Sequence, residues 1–238
     1  MKIKVMVLSM ICLLIFPTFS YASQNVNGYE QANTQTVEAV LTDENGNQLI
    51  LPVTVSEPVR EMNNGLMTLD GIQNNDVKSY SQDFSITIDE EAIEDAVTRA
   101  GGSYSDTTYD SSMTLKLWGR IYYDTRIAYE NGIAKNTYCV TQMEGHFKNI
   151  QPERLDLINQ HVVVACTNDF NQSSAQHVEW WTGDTFNNYT GFQYYAFADR
   201  PFSAIGGSMS CQGRTSDGHT WDVYLSLPIA GTNVLPGI

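Results

Sequence analysis

Four rings are the candidates for touching a ligand: Trp118, Tyr122, Trp180 and Trp181. Exposed rings stack on sugars or anchor protein partners, whereas buried ones pack sheets together. Trp118 and Tyr122 alternate with Leu115, Leu117 and Ile121, so they fall on the face opposite the apolar one and are the better surface candidates. Trp221 and one of the Trp180/Trp181 pair are expected in the core. Glu144 (in Met143-Glu-Gly-His146) and Glu179 (before Trp180) are carboxylates close to rings in the chain. β-Sandwich glycoside hydrolases can carry two carboxylates on one concave sheet, where their environments separate an acid from a base or nucleophile.

Other catalytic patterns are missing. The chain has no Gly-rich phosphate loop, no His-Glu-x-x-His and no Gly-x-Ser-x-Gly. His146, His161, His177 and His219 are scattered, with no pair three to five residues apart. No catalytic residue, metal ligand or cofactor is therefore assigned. The oxygen-rich stretches Asp43–Asn47 and Asp106–Asp110 do not match the 12-residue calcium loop and read as Asx turns.

Cys12 lies in the leader, which leaves Cys139, Cys166 and Cys211. An odd count allows one internal disulfide and one leftover thiol, and three pairings are open. Cys166–Cys211 is preferred because both residues lie in convincing strand patterns. The spacings do not form a close zinc pair.

The elements that must carry these groups read as strands. Val37–Thr42 and Gln48–Val55 flank Asn45-Gly46 and predict a hairpin, with Pro52 marking an edge or bulge. Residues 56–80 read as a linker or loose crossover. Phe84–Ile88 alternates as a strand. Asp89 then opens a helix ending at Ala100 before Gly101-Gly102, the one helix expected in the mature chain. A long strand from Ser111 turns at Asn131-Gly132 and returns through Ala134–Met143. Further strands are expected at 154–166, at Trp180-Trp181, at Phe192–Phe197, at 204–213 and at His219–Leu227. Many short strands with closely spaced turns predict an all-β, antiparallel β-sandwich of roughly immunoglobulin size.

Lys2 and Lys4, the apolar run Val5–Phe16 and Ser20-Tyr-Ala22 have the three-part layout of a secretory signal peptide. The expected organisation is a signal at 1–22, a polar leader, hairpin and linker at 23–80, and the sandwich at 81–238. Loss of residues 1–22 takes the net charge from −14 to −16, because two Lys and no carboxylate leave. That balance argues against nucleic acid and other polyanions. No later segment reaches membrane-spanning length, and Asn233–Ile238 carries no sorting signal. The expected protein is a secreted extracellular or surface-associated interaction module, with a protein or a glycan as partner. The alternative is a carbohydrate-binding or glycoside-hydrolysing protein using an aromatic sheet face.

Overall fold

The computed structural model describes residues 37–61, 77–89, 91–93, 114–153, 155–168, 175–200, 202–215 and 218–231. They form thirteen strands: β1 (Glu38–Asp43), β2 (Gln48–Pro52), β3 (Thr54–Val55), β4 (Val59–Arg60), β5 (Lys78–Ile88), β6 (Leu115–Glu130), β7 (Ile133–Asn149), β8 (Leu155–Thr167), β9 (His177–Trp181), β10 (Thr185–Tyr189), β11 (Ala196–Phe197), β12 (Ala204–Thr215) and β13 (Thr220–Gly231). The first sheet runs β2-β1-β13-β12-β8-β9. The second runs β10-β7-β6-β5-β3, with β11 also on β7 and β4 also on β5. Every pairing is antiparallel. The chain is nearly all β and sandwich-like, as the alternation predicts.

Period-two patterning builds the core. Leu115, Leu117 and Ile121 of β6, Met143 and Phe147 of β7, and Val223, Leu225 and Leu227 of β13 are buried against one another between the sheets. Each such side chain contributes about 1.5–3 kcal/mol on leaving water. Trp221 belongs to this core, and Trp180 packs against it half-buried.

Turn chemistry sets the registers. Asn131 and Gly132 have φ of 52° and 79°, the double positive φ that a two-residue hairpin needs, and β6 pairs with β7 from Glu130↔Ile133 onward. In the first hairpin, Asp43 Oδ1 accepts from the backbone of Asn45 (2.9 Å) and Asn47 (2.7 Å), and Oδ2 accepts from Asn47 Nδ2 (2.7 Å). Both carboxylate oxygens are thus used within the turn. Burial works to raise the Asp43 pKa, but these hydrogen bonds outweigh it and hold the group below the usual carboxylate range.

Three features differ from the pattern-based expectation. The stretch 56–80 is not all connection, because β4 lies in it and β5 starts at Lys78. The returning strand extends to Asn149 rather than stopping at Met143. The aromatic segment Phe192–Phe197 pairs only at Ala196–Phe197. Its backbone groups are met largely by side chains: Gln176 Oε1 accepts from the amides of Gln193 and Tyr194 (3.0 Å each), its Nε2 donates to the Tyr194 carbonyl (2.9 Å), and Thr190 Oγ1 accepts from the Phe192 amide (3.2 Å).

Glu91–Ile93 are helical. Asp89 Oδ1 caps the Ala92 amide at 2.9 Å, and Ile93 is buried in the core. The rest of the expected helix, to Ala100, lies outside the described residues, as do the 1–22 segment and the Asp106–Asp110 loop. No described helix is long and apolar enough to cross a membrane.

Candidate functional site

The outer face of the second sheet gathers the side chains with the most binding chemistry. Register places them in rows across β5, β6, β7 and β10. Asp83, Arg120, Glu144 and Asn187 form the central row. Ser85, Trp118, His146 and Thr185 form the row on one side of it. Ser81, Tyr122, Gln142 and Tyr189 form the row on the other. The apolar alternates of the same strands face the core. One periodicity therefore produces both the packed interior and the polar, aromatic exterior.

The central row is linked by hydrogen bonds and, from Arg120 to Glu144, by an ion pair. Arg120 makes a two-pronged contact with Asp83, Nε to Oδ1 and Nη2 to Oδ2, the second at 2.9 Å. Its Nη1 lies 3.7 Å from Glu144 Oε1. Tyr122 donates its hydroxyl to Glu144 Oε1 (2.8 Å), and Asn187 Nδ2 donates to Glu144 Oε2 (3.1 Å). Gln142 Nε2 donates to Asn187 Oδ1 at 2.6 Å. The Asp83 hydrogen bond raises the Arg120 pKa further above its already high value. Burial raises that of the Tyr122 hydroxyl, and its bond to Glu144 adds to the shift.

Rings are fixed beside that row. His146 stacks on Trp118 at 5.4 Å and 23°, while the Arg120 guanidinium stands 5.3 Å from the Trp118 centroid. Desolvation lowers the His146 pKa, and the positive charges of Lys116 and Lys148 lower it further. Those lysines face each other across β6 and β7 at the end of the face. A hollow of about 430 Å³, bordered by Pro52, Thr54, Thr87, Glu91 and Lys116, adjoins that end. Tyr189 is 77% exposed on the edge strand β10.

The four ring candidates are split by the fold. Trp118 and Tyr122 share the outer face just described, both half-buried. Trp180 opposes Val162 and points inward from β9, on the first sheet. Trp181 is 74% exposed on the outer side of the first sheet. There it stacks on His161 at 4.5 Å, with His161 Nε2 at 3.4 Å from Glu179 Oε2. Sequence reading named His146 only among scattered histidines and did not assign Arg120, Asp83, Asn187 or Tyr189 to the site. The alternation around Trp118 was the one signal that pointed toward them.

The two carboxylates considered for hydrolysis do not meet. Glu144 projects outward from the second sheet. Glu179 opposes Val163 and projects outward from the first. A sandwich about 10 Å thick lies between them, which exceeds any separation that paired glycosidase carboxylates use once the outward side chains are added.

Cys166 and Cys211 do not form the expected bridge either, and all three described cysteines are free thiols. In the β8–β12 ladder Cys166 lies opposite Ile205. Cys211 is six residues further along β12, on the order of 20 Å at the rise of a strand. A disulfide spans Cα atoms only about 4.4–6.8 Å apart. Both residues do lie in strands, but the antiparallel register carries them apart.

Among the described residues, no three His, Cys, Asp or Glu side chains cluster to hold a metal ion. Comparison with known proteins finds no matching family model, curated protein or solved structure.

Proposed function

We propose that this chain is a secreted, extracellular or surface-associated interaction module, and that its ligand is a carbohydrate held on the outer face of the second sheet. The observation that carries the reading is the joint placement of Trp118, Tyr122 and Tyr189 around the Asp83–Arg120–Glu144–Asn187 row. Rings supply apolar platforms for the faces of sugar rings. Carboxylates, amides and a guanidinium held in place by one another supply hydroxyl partners with little ordering left to do on binding. The separation of Glu144 from Glu179 favours binding over hydrolysis by that pair. Secretion rests on the layout of residues 1–22.

A glycan array probed with the exported chain tests the ligand class. Binding to a sugar that is lost in Trp118→Ala and kept in Trp181→Ala supports the reading. Capture of protein ligands alone, or glycan binding indifferent to Trp118, overturns it. Mass analysis of the exported chain tests the leader, with Ser23 expected as the first residue.

A further inference from the structure

Cys139 of β7 and Cys166 of β8 belong to different sheets and are 27 positions apart, yet their side chains converge. Cys166 Sγ lies 3.1 Å from the carbonyl oxygen of Tyr138, the residue immediately before Cys139. Cys139 Sγ lies 3.7 Å from the carbonyl of Phe192, and Cys166 Sγ lies 4.0 Å from that of Tyr194, two residues on. The two sulfurs therefore flank the same short stretch of backbone. Both residues are buried, at 4% and 0% exposure. Cys211 sits elsewhere in the core, where burial pushes its thiol up to about 12.

We propose that Cys139 and Cys166 are the disulfide-forming pair of this protein, bridging the two sheets, and that Cys211 stays a free buried thiol. Other uses of the pair fit less well. A thiolate nucleophile needs exposure and a nearby base, whereas this pair is buried. The neighbouring Cys166 thiol and desolvation push the Cys139 pKa well up. Bridge formation costs only the weak S–H contacts to the Tyr138, Phe192 and Tyr194 carbonyls. In return it ties β7 of the second sheet to β8 of the first, and shortens the loop by which the unfolded chain gains freedom.

The oxidant required is a small-molecule disulfide such as oxidised glutathione. One thiolate of the pair attacks it, breaking its S–S bond and releasing one thiol. The second thiolate then attacks the resulting mixed disulfide, forming the Cys139–Cys166 bond and releasing a second thiol. The two protons lost by the cysteines appear on the two released thiols, so one disulfide is exchanged for another.

The test does not depend on any ligand. The reduced, denatured chain is refolded with oxidised and reduced glutathione, then unfolded without reductant in the presence of an alkylating reagent. Alkylation is read on the separate peptides carrying Cys139, Cys166 and Cys211. The expected result is alkyl label on Cys211 only, and a Cys139–Cys166 linked peptide that separates on reduction. The same link is expected in Cys211→Ser. Label on all three cysteines, or any link that includes Cys211, overturns the proposal. As a second readout, reductant should lower the midpoint of melting of the oxidised chain by about 5–15 °C. It should leave the Cys139→Ser/Cys166→Ser double variant unmoved, and an equal fall in both overturns the proposal as well.

Discussion

Arg120 on β6 and Asp83 on β5 are directly opposed in register, and the guanidinium holds both oxygens of the carboxylate. The contact joins the central strands of the second sheet on their outer face. It also fixes the arginine beside Trp118 and within ionic reach of Glu144. Backbone pairing alone would leave these side chains free to choose among rotamers.

The Arg120–Asp83 pair should matter more for order than for stability. Both side chains are 35% exposed, so solvent screens the attraction. Asp83→Asn is expected to cost about 1 kcal/mol or less, and less still at high salt. Urea unfolding at two salt concentrations checks this. A loss of several kcal/mol, or one that ignores salt, would show that the pair acts as a buried bridge.

The rings make a sharper distinction. Trp118→Ala should weaken glycan binding by at least about fivefold, the effect of removing a ring worth over 1 kcal/mol. Tyr189→Ala should weaken it in the same direction. Trp181→Ala, on the other sheet, should leave it unchanged. Titration calorimetry with the array hit reads all three, and equal losses at Trp118 and Trp181 would contradict the assignment of the face.

His146 provides a pH signature. Burial and the two neighbouring lysines favour its neutral form, so its folded pKa lies below the unfolded value. The stability that goes with the neutral ring is present above pH ~6.5 and is lost as pH falls through the folded pKa. Lys116→Gln and Lys148→Gln should each raise the His146 pKa, measured by NMR titration of the ring protons. No movement in either variant would mean that desolvation alone sets the shift.

Gly206 should be nearly irreplaceable. Its φ is +147°, and a Cβ built there would lie 2.3 Å from the Leu227 carbonyl oxygen. It sits at the register shift between β12 and β13. Gly206→Ala combines a backbone region that suits glycine with a collision against main chain, and is expected to cost about 2 kcal/mol or more. Thermal or urea unfolding decides, and a loss under about 0.5 kcal/mol would mean that the ladder relaxes easily.

Gly145 links packing to the site. A Cβ there would stand 2.5 Å from the Trp118 carbonyl oxygen and 2.8 Å from the Phe186 ring. Phe186 anchors β10, whose outer side carries Asn187 and Tyr189. Gly145→Ala should therefore loosen β10 and weaken binding together, visible as faster amide exchange along Thr185–Tyr189. Normal exchange with weakened binding would place the fault elsewhere.

Local chemistry in the sequence determined much of this protein. Alternation around Leu115–Tyr122 and Trp221–Leu227 assigned each side chain to a face, because successive residues of a strand must point to opposite sides. Asn131-Gly132 and Asp43–Asn47 placed the hairpins, because those residues satisfy turn geometry by themselves. The irregular path of Phe192–Tyr195 was not legible, because the amides of Gln193 and Tyr194 are held by Gln176, which only the fold brings near. What the tertiary structure alone decided is which faces meet. Strand order sent Trp118 and Trp181 to different sheets, put Glu144 and Glu179 on opposite sides of the sandwich, and brought the backbone beside Cys139, rather than Cys211, to Cys166. Pairing between distant strands depends on the free energy of the whole core, and no local spacing encodes it.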